Sequence, residues 1–256
     1  MKTTLGFIGG GRITKIILQA FQNKSLEFET ILVYEPNKDV ASELKEQFPD
    51  ITITDSQTEP AQQKIVFLAV HPSVMMETLN NIKETVKTES MVVSLAPKIN
   101  MEKIAGLLNT QRIVRMIPNA TSYINKGYNP VCFYNSFSPE DKDDLMGLLK
   151  KLGKTMEVEE SMLEGYAIVS AMLPTYFWFQ WKKMEELALQ MGFREEEAKK
   201  VIRKTLERSL KLYFNSELTP DEVIDLIPVK PIGEHEAEIE QILETKLLGL
   251  YEKIKP

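Results

Sequence analysis

The residues best suited to chemistry lie near the start of the chain, in Gly6-Phe7-Ile8-Gly9-Gly10-Gly11-Arg12-Ile13-Thr14, with Glu35 following 21 residues beyond Thr14. Glycines at this spacing, after an apolar run and before an amphipathic one, suit a turn that receives a pyrophosphate. Gly9 permits the tight bend. Gly11 lets the backbone approach the phosphates, whose charge is stabilised by the free N–H groups of a helix start at Arg12 and Ile13. The third fingerprint position is Thr14, where Gly or Ala is usual, so some closeness between helix and strand is expected to be lost. Glu35 can accept hydrogen bonds from a ribose 2′-hydroxyl and repels a 2′-phosphate, which favours NADH. Asn37 and Lys38 pull towards NADPH, because both could meet a phosphate if the loop turned Glu35 outward. From the residues alone the cofactor is NADPH or NADH.

Such a turn works only between a strand and a helix of a parallel sheet. Runs rich in β-formers at 5–8, 30–34, 65–70, 91–95 and 113–116 alternate with helical patterns such as 13–21 and 40–48. Parallel strands need crossover connections, and right-handed crossovers put helices on both faces. The run Ile65-Val66-Phe67-Leu68-Ala69-Val70 carries almost no polar residue, as expected of a strand covered on both sides. The fold expected is α/β: an N-terminal Rossmann-type doubly wound parallel sheet over residues 1–158, followed by an all-helical dimerisation domain over 159–256. In the second part Ala198, Val201, Ile202, Thr205, Leu206, Leu210 and Tyr213 recur at three and four, as do Ile239, Ile242, Leu243, Leu247, Leu250 and Ile254. Thr219-Pro220-Asp221-Glu222 reads as a capping box, Gly192 as a helix stop, and the Lys199, Lys200, Arg203, Lys204 run as a solvated face.

Composition narrows the partners. The 256 residues carry a formal charge of −6 and 43% hydrophobic residues, which suits a globular chain and argues against nucleic acid. One cysteine, Cys132, forms no internal disulfide, and two histidines are too few for a Cys/His zinc site, so no metal is assigned. The longest uncharged stretch, 165–181, has 17 residues and includes Pro174, Ser170, Thr175 and Gln180. It falls short of a membrane span and reads as buried helix. No export signal opens the chain, and a cytoplasmic location is expected.

The glycine turn, together with Leu68-Ala69-Val70-His71-Pro72, Val92-Val93-Ser94-Leu95-Ala96 and Arg112-Ile113-Val114-Arg115-Met116-Ile117-Pro118-Asn119, resembles the successive sheet-edge motifs of the pyrroline-5-carboxylate reductases. That resemblance implies reduction of the cyclic imine 1-pyrroline-5-carboxylate to proline with NAD(P)H. It also implies a Rossmann domain followed by helices that interlock between two subunits. Ala69, Val70, His71, Pro72, Ala96 and Asn119 would then lie around the nicotinamide and its ribose. His71 stands where the family usually has Lys, and its residue-level alternative is a loop position before a helix beginning near Pro72.

The likeness extends to two C-terminal segments, 164–176 and 229–236, with less agreement. The family's Ser-Gly-Ser-Gly-Pro-Ala-Tyr is here Ser170-Ala171-Met172-Leu173-Pro174-Thr175-Tyr176, so both glycines gain side chains while Pro174 and Tyr176 are kept. The family's Thr-Ser-Pro-Gly-Gly-Thr-Thr, which holds the substrate, is here Val229-Lys230-Pro231-Ile232-Gly233-Glu234-His235. By this correspondence Lys230, Gly233 and Tyr176 are substrate-binding candidates, and His235 and Glu234 are catalytic candidates. An imidazole can donate the proton that accompanies hydride delivery, because it titrates near operating pH. The plainer alternative for Glu234 and His235 is the exposed start of a helix.

Three functions follow in order. The first is reduction of pyrroline-5-carboxylate. The second is reduction of another imine or carbonyl on the same fold, with His235 as proton donor, and the third is a non-catalytic dinucleotide-binding dimer. All three share a small-molecule ligand, no nucleic acid, no membrane and a homodimer formed through the C-terminal helices, with the active site between one Rossmann domain and helices of the pair.

Overall fold

The computed structural model describes residues 3–134 and 137–256. Its sheet comprises β1 (Thr4–Ile8), β2 (Thr30–Tyr34), β3 (Thr52–Thr54), β4 (Ile65–Leu68), β5 (Met91–Ser94), β6 (Ile113–Met116), β7 (Gly127–Phe133) and β8 (Gly153–Glu157). The strand order is β3-β2-β1-β4-β5-β6-β7-β8. The five strands expected from the sequence are β1, β2, β4, β5 and β6, joined in parallel as the crossover argument requires. Helices α1 (Arg12–Asn23), α2 (Lys38–Gln47), α3 (Thr58–Ala61), α4 (Pro72–Ile82), α5 (Met101–Ala105) and α6 (Pro139–Leu149) connect them.

Three strands were not legible in the sequence. The first, β3, has three residues, too few for a period to show. The second, β7, contains Asn129 and Pro130, which interrupt an apolar run, and it pairs antiparallel with β6. Its connection is a 3-10 turn, Ala120–Ile124, closed by Asn125 at φ 57, short enough for an antiparallel return but too short for a crossover. The third, β8, extends the sheet parallel to β7.

At the centre, all residues of β4 are buried, and Phe7 of β1 stacks on Phe67 of β4 with ring centroids 4.7 Å apart. Apolar side chains of α1, including Ile17, Leu18 and Phe21, join the same core. Burial of one such side chain contributes about 1.5–3 kcal/mol, which holds the ends of β1 and β4 side by side.

The chain forms two compact units, Met1–Ala171 with Tyr251–Pro256, and Met172–Leu250. The first runs past the change of character at Glu159 for an electrostatic reason. Buried Arg115 of β6 donates from Nη1 to Glu160 Oε1 at 2.9 Å and from Nη2 to Glu164 Oε1 at 2.5 Å. These pairs tie helix α7 (Leu163–Tyr166) and the π-helical turn Ala167–Ala171 to the sheet.

The second unit contains α8 (Leu173–Gln190), α9 (Glu195–Asn215), α10 (Pro220–Asp225) and most of α11 (Glu236–Ile254). Gly192, at φ 92, follows the end of α8, and Thr219 makes the capping box with Glu222. Lys199 and Lys204 pair along an exposed helix face with Glu195 and Glu207. The stretch 165–181, expected as one buried helix, is instead interrupted by the π-helical turn, and its aromatic half is exposed. Trp178 is 45% and Phe179 67% accessible. The apolar pattern implied burial, and among the described residues the aromatic half of this stretch does not have it.

Candidate active site

Strand order reverses direction at β1, between β2 and β4, which opens a crevice at the carboxyl ends of these strands. The Gly9 N–H donates to Tyr34 O at 2.9 Å, and the Ala69 N–H donates to Ile8 O at 2.8 Å, fixing three strand ends together. Gly9 adopts φ 102, and a Cβ there would lie 2.5 Å from Ala69 O, so only glycine fits. Gly11 is the N-cap of α1 and has no side-chain cap bond. A Cβ placed on it meets nothing within 4 Å, so the floor beneath the bare N–H groups of α1 is open.

Thr14 does more than fill the third fingerprint position. Its hydroxyl donates to Gly9 O at 2.6 Å and is fully buried, so the side chain that costs space also braces the turn. Arg12 is exposed at the first helical position, whereas Ile13 packs against the core and offers a ligand only its backbone N–H.

Glu35 turns inward over this loop. Its Oε2 accepts from Gly10 N at 2.9 Å and its Oε1 from Asn37 N at 2.9 Å. Asn37 in turn caps α2, its Oδ1 accepting from Asp39 N and Val40 N, and Lys38 opens that helix exposed to solvent.

On the other side of the crevice, His71 is the N-cap of α4, with Pro72 as the first helical residue. Its Nδ1 accepts from Ser73 N at 3.3 Å, which leaves the ring's Nε2 edge for a ligand. Ala69 and Val70 are half-buried, while Ala96 is buried and can offer only main-chain atoms.

Asn119 is buried and its side chain is occupied by the protein itself. Oδ1 accepts from Thr121 N and Oγ1, and Nδ2 donates to Ser170 O and Oγ, each at 3.2 Å. In this arrangement Asn119 anchors the end of β6 to the π-helical turn.

The C-terminal candidates lie in the second unit. Gly233, Glu234 and His235 form a 3-10 turn leading into α11. The side chains of Glu234 and His235 are 82% and 58% exposed, with His235 Nε2 3.6 Å from Glu234 Oε1 and Nδ1 3.9 Å from Glu238 Oε2. Lys230 Nζ lies 3.9 Å from Glu236 Oε2. Tyr176, on α8, is half-buried, and burial raises its phenol above the usual range. The structure thus gathers Gly9 to Ile13, Glu35, Asn37, Lys38 and Ala69 to Pro72 around one crevice, and gathers Lys230, Gly233, Glu234 and His235 in another unit.

Two contributors escaped the sequence reading. Arg115 was visible only as part of a motif, yet a charged residue inside the apolar run Ile113–Met116 is itself a signal for a buried partner. The hydroxyl bond of Thr14 could have been suspected from the turn carbonyl one helical step away. Among the described residues no group of histidine, cysteine and acidic side chains is placed to hold a metal ion.

Comparison with known proteins agrees with this architecture. A family model described as NADP oxidoreductase coenzyme F420-dependent matches residues 4–98. The pyrroline-5-carboxylate reductase of Escherichia coli is 28% identical over 230 residues, covering 89% of this chain and 85% of the relative. That of Corynebacterium melassecola is 24% identical, covering 97% and 93%. Among solved structures, Plasmodium falciparum pyrroline carboxylate reductase with NADP bound superposes with a TM-score of 0.82 at 20% identity, covering 99% of this chain and 97% of that one. The Coxiella burnetii pyrroline-5-carboxylate reductase gives 0.68 at 22% identity, covering 99% and 95%. The motifs, the strand order and the coverage converge: this chain is similar in sequence to the pyrroline-5-carboxylate reductases and shares their fold over nearly its whole length.

Proposed function

We propose that this protein is an NAD(P)H-dependent oxidoreductase that reduces the C=N bond of 1-pyrroline-5-carboxylate to give proline. One observation carries the proposal: the floor under Gly11 is open, bare helix N–H groups line it, and the Glu35 carboxylate flanks it. These residues fit a dinucleotide. When bound, it supplies the hydride.

The amides of Gly11, Arg12 and Ile13 would hold the diphosphate, with the positive end of α1 behind them. Glu35 would accept from a ribose hydroxyl, while Ala69, Val70, His71, Pro72 and Ala96 would line the nicotinamide end. Asn119 acts as a positioning residue. The reaction adds a hydride to the imine carbon and a proton to its nitrogen. A protonated imine is already electrophilic, so the protein needs only to orient the reactants and exclude water. We assign the proton to His235, with Glu234 beside it, and the substrate carboxylate to Lys230, the amide of Gly233 and Tyr176.

Addition of 1-pyrroline-5-carboxylate to purified protein with NADH or NADPH should bleach the reduced nicotinamide and yield proline. Absence of turnover with both cofactors rejects this substrate. The exposed Glu234 and His235, standing where the family carries hydroxyls, favour one second reading, a reductase of another imine or carbonyl. Turnover from a panel of such compounds, with none from pyrroline-5-carboxylate, would select it. Dinucleotide binding with no turnover at all would select a silent binding protein.

The same proposal includes a homodimer through the C-terminal helices. Phe179, Met191, Phe214 and Ile227 of the second unit are each at least two-thirds accessible in the single chain. Apolar surface of this extent is normally covered in soluble proteins. Light scattering at micromolar concentration checks this, and a monomer refutes it. No helix among the described residues is long and apolar enough to cross a membrane. The free, buried thiol of Cys132 supports placing the protein in the cytoplasm.

A further inference from the structure

We infer that the dinucleotide site selects NADH over NADPH, and that Glu35 is the residue that decides it. This rests on the dinucleotide reading above and narrows it.

The sequence left one way for a 2′-phosphate to be accepted, which was for Glu35 to point away from the ribose. In the structure it points in. Its two carboxylate oxygens are held at 2.9 Å by the Gly10 and Asn37 amides. A Cβ on Gly10 would lie 2.8 Å from Glu35 Cβ, so the stem of the side chain is pressed against the glycine turn. An outward swing would break both bonds and leave the Gly10 N–H without its acceptor.

Each carboxylate oxygen retains a lone pair after accepting one amide, so the fixed group can still receive ribose hydroxyls. An ionised 2′-phosphate has no proton to give and brings a charge of about −1.5 to −2 against the carboxylate.

The surroundings do not compensate. An open cavity at the end of β2 is lined by Glu35, Glu46 and Asp55 together with Lys38 and Lys45. Lys45 is taken up elsewhere, its Nζ donating to Pro49 O at 2.8 Å and to Ile51 O at 2.6 Å. The Asn37 Oδ1 faces the first turn of α2. Of the other nearby cations, Arg12 and Lys15 line the adjoining recess over Gly10 and Gly11, which they share with Glu43; that is where the diphosphate is proposed to rest, and neither residue lines the cavity at the end of β2. Among the described residues lining the cavity at the end of β2, a 2′-phosphate at Glu35 would have the Glu35, Glu46 and Asp55 carboxylates around it and Lys38 as the cation whose Nζ is not committed to backbone carbonyls. This differs from the Plasmodium falciparum structure, whose bound cofactor is NADP.

The test is equilibrium binding of NADH and of NADPH to the full-length protein, read by nicotinamide fluorescence, for the wild type and for Glu35→Gln. Gln keeps one acceptor for the loop amides and removes the charge. The expected result is NADH bound about tenfold or more tighter than NADPH by the wild type, as one charge-assisted hydrogen bond gained against one repulsion predicts. In Glu35→Gln that ratio should fall by about tenfold. Equal or tighter NADPH binding by the wild type overturns the inference without any variant having to fold, and so does an unchanged ratio in a folded Glu35→Gln. If NADH binds tighter than NADPH as expected but neither is oxidised by the imine, the inference stands and the proposed reaction falls. If neither binds, the dinucleotide reading fails and takes the inference with it.

Discussion

Replacing Arg115 with Met should be among the most destabilising single changes in the first unit. The side chain of Arg115 is 1% exposed, and its guanidinium is the main partner of Glu164, itself 2% exposed. With Arg115 gone, Glu164 Oε1 keeps, among the described residues, the Lys98 N–H at 3.3 Å, whereas Glu160 retains the Met101 N–H at 2.7 Å and partial access to water. The cost is therefore set by one carboxylate stranded away from solvent. Loss of one member of a buried pair costs about 3–5 kcal/mol. At about 2–4 °C per kcal/mol for a chain of this size, the melting temperature should fall by roughly 6–20 °C.

The pair itself is not an efficient stabiliser, because among the described residues Arg115 Nε and the neighbouring Ser94 Oγ are buried without partners. Removing both charges, in Arg115→Met with Glu164→Leu, should therefore restore much of the loss and leave a deficit of about 1–2 kcal/mol. Circular dichroism melts of the wild type, both single variants and the double variant complete the cycle. The reasoning is refuted if Arg115→Met alone costs under about 1 kcal/mol, or if the double variant loses the sum of the singles.

Further expectations concern the glycine turn and the buried thiol. Gly11→Ala has room for its methyl group, so it should melt like the wild type yet bind dinucleotide about tenfold or more weakly; unchanged affinity would mean no phosphate rests there. Gly9→Ala should lose stability as well as binding, by about 1–3 kcal/mol, since its φ of 102 and the Ala69 carbonyl both oppose a side chain. Burial, with Glu160, Glu157 and Glu159 nearby, pushes the Cys132 thiol up to about 11 from 9.0. Because the folded value is the higher one, the thiol's contribution is complete below pH 9 and is lost as pH rises through 11, up to about 2–3 kcal/mol. Urea unfolding at pH 8, 9.5 and 10.5 should show a steeper decline for the wild type than for Cys132→Ala, and parallel declines would contradict the assignment.

The sequence by itself determined the parallel core and the location of the crevice. The central strands are nearly pure apolar runs, and Gly9 has a backbone role no other residue can take, so both leave marks in the local pattern. The helix stop at Gly192 and the cap at Thr219 were legible for the same reason, being decided within a few residues. What depended on residues far apart in the chain was not legible. The bond from Thr14 to the Gly9 carbonyl, the inward turn of Glu35, the closure of Asn119 on Ser170 and the clamp of Arg115 on Glu164 each need a second segment brought close by the fold. Pattern records which face of an element is apolar. Only tertiary structure decides which polar group a buried side chain meets, and here that choice settles how the crevice is braced and which way its carboxylate points.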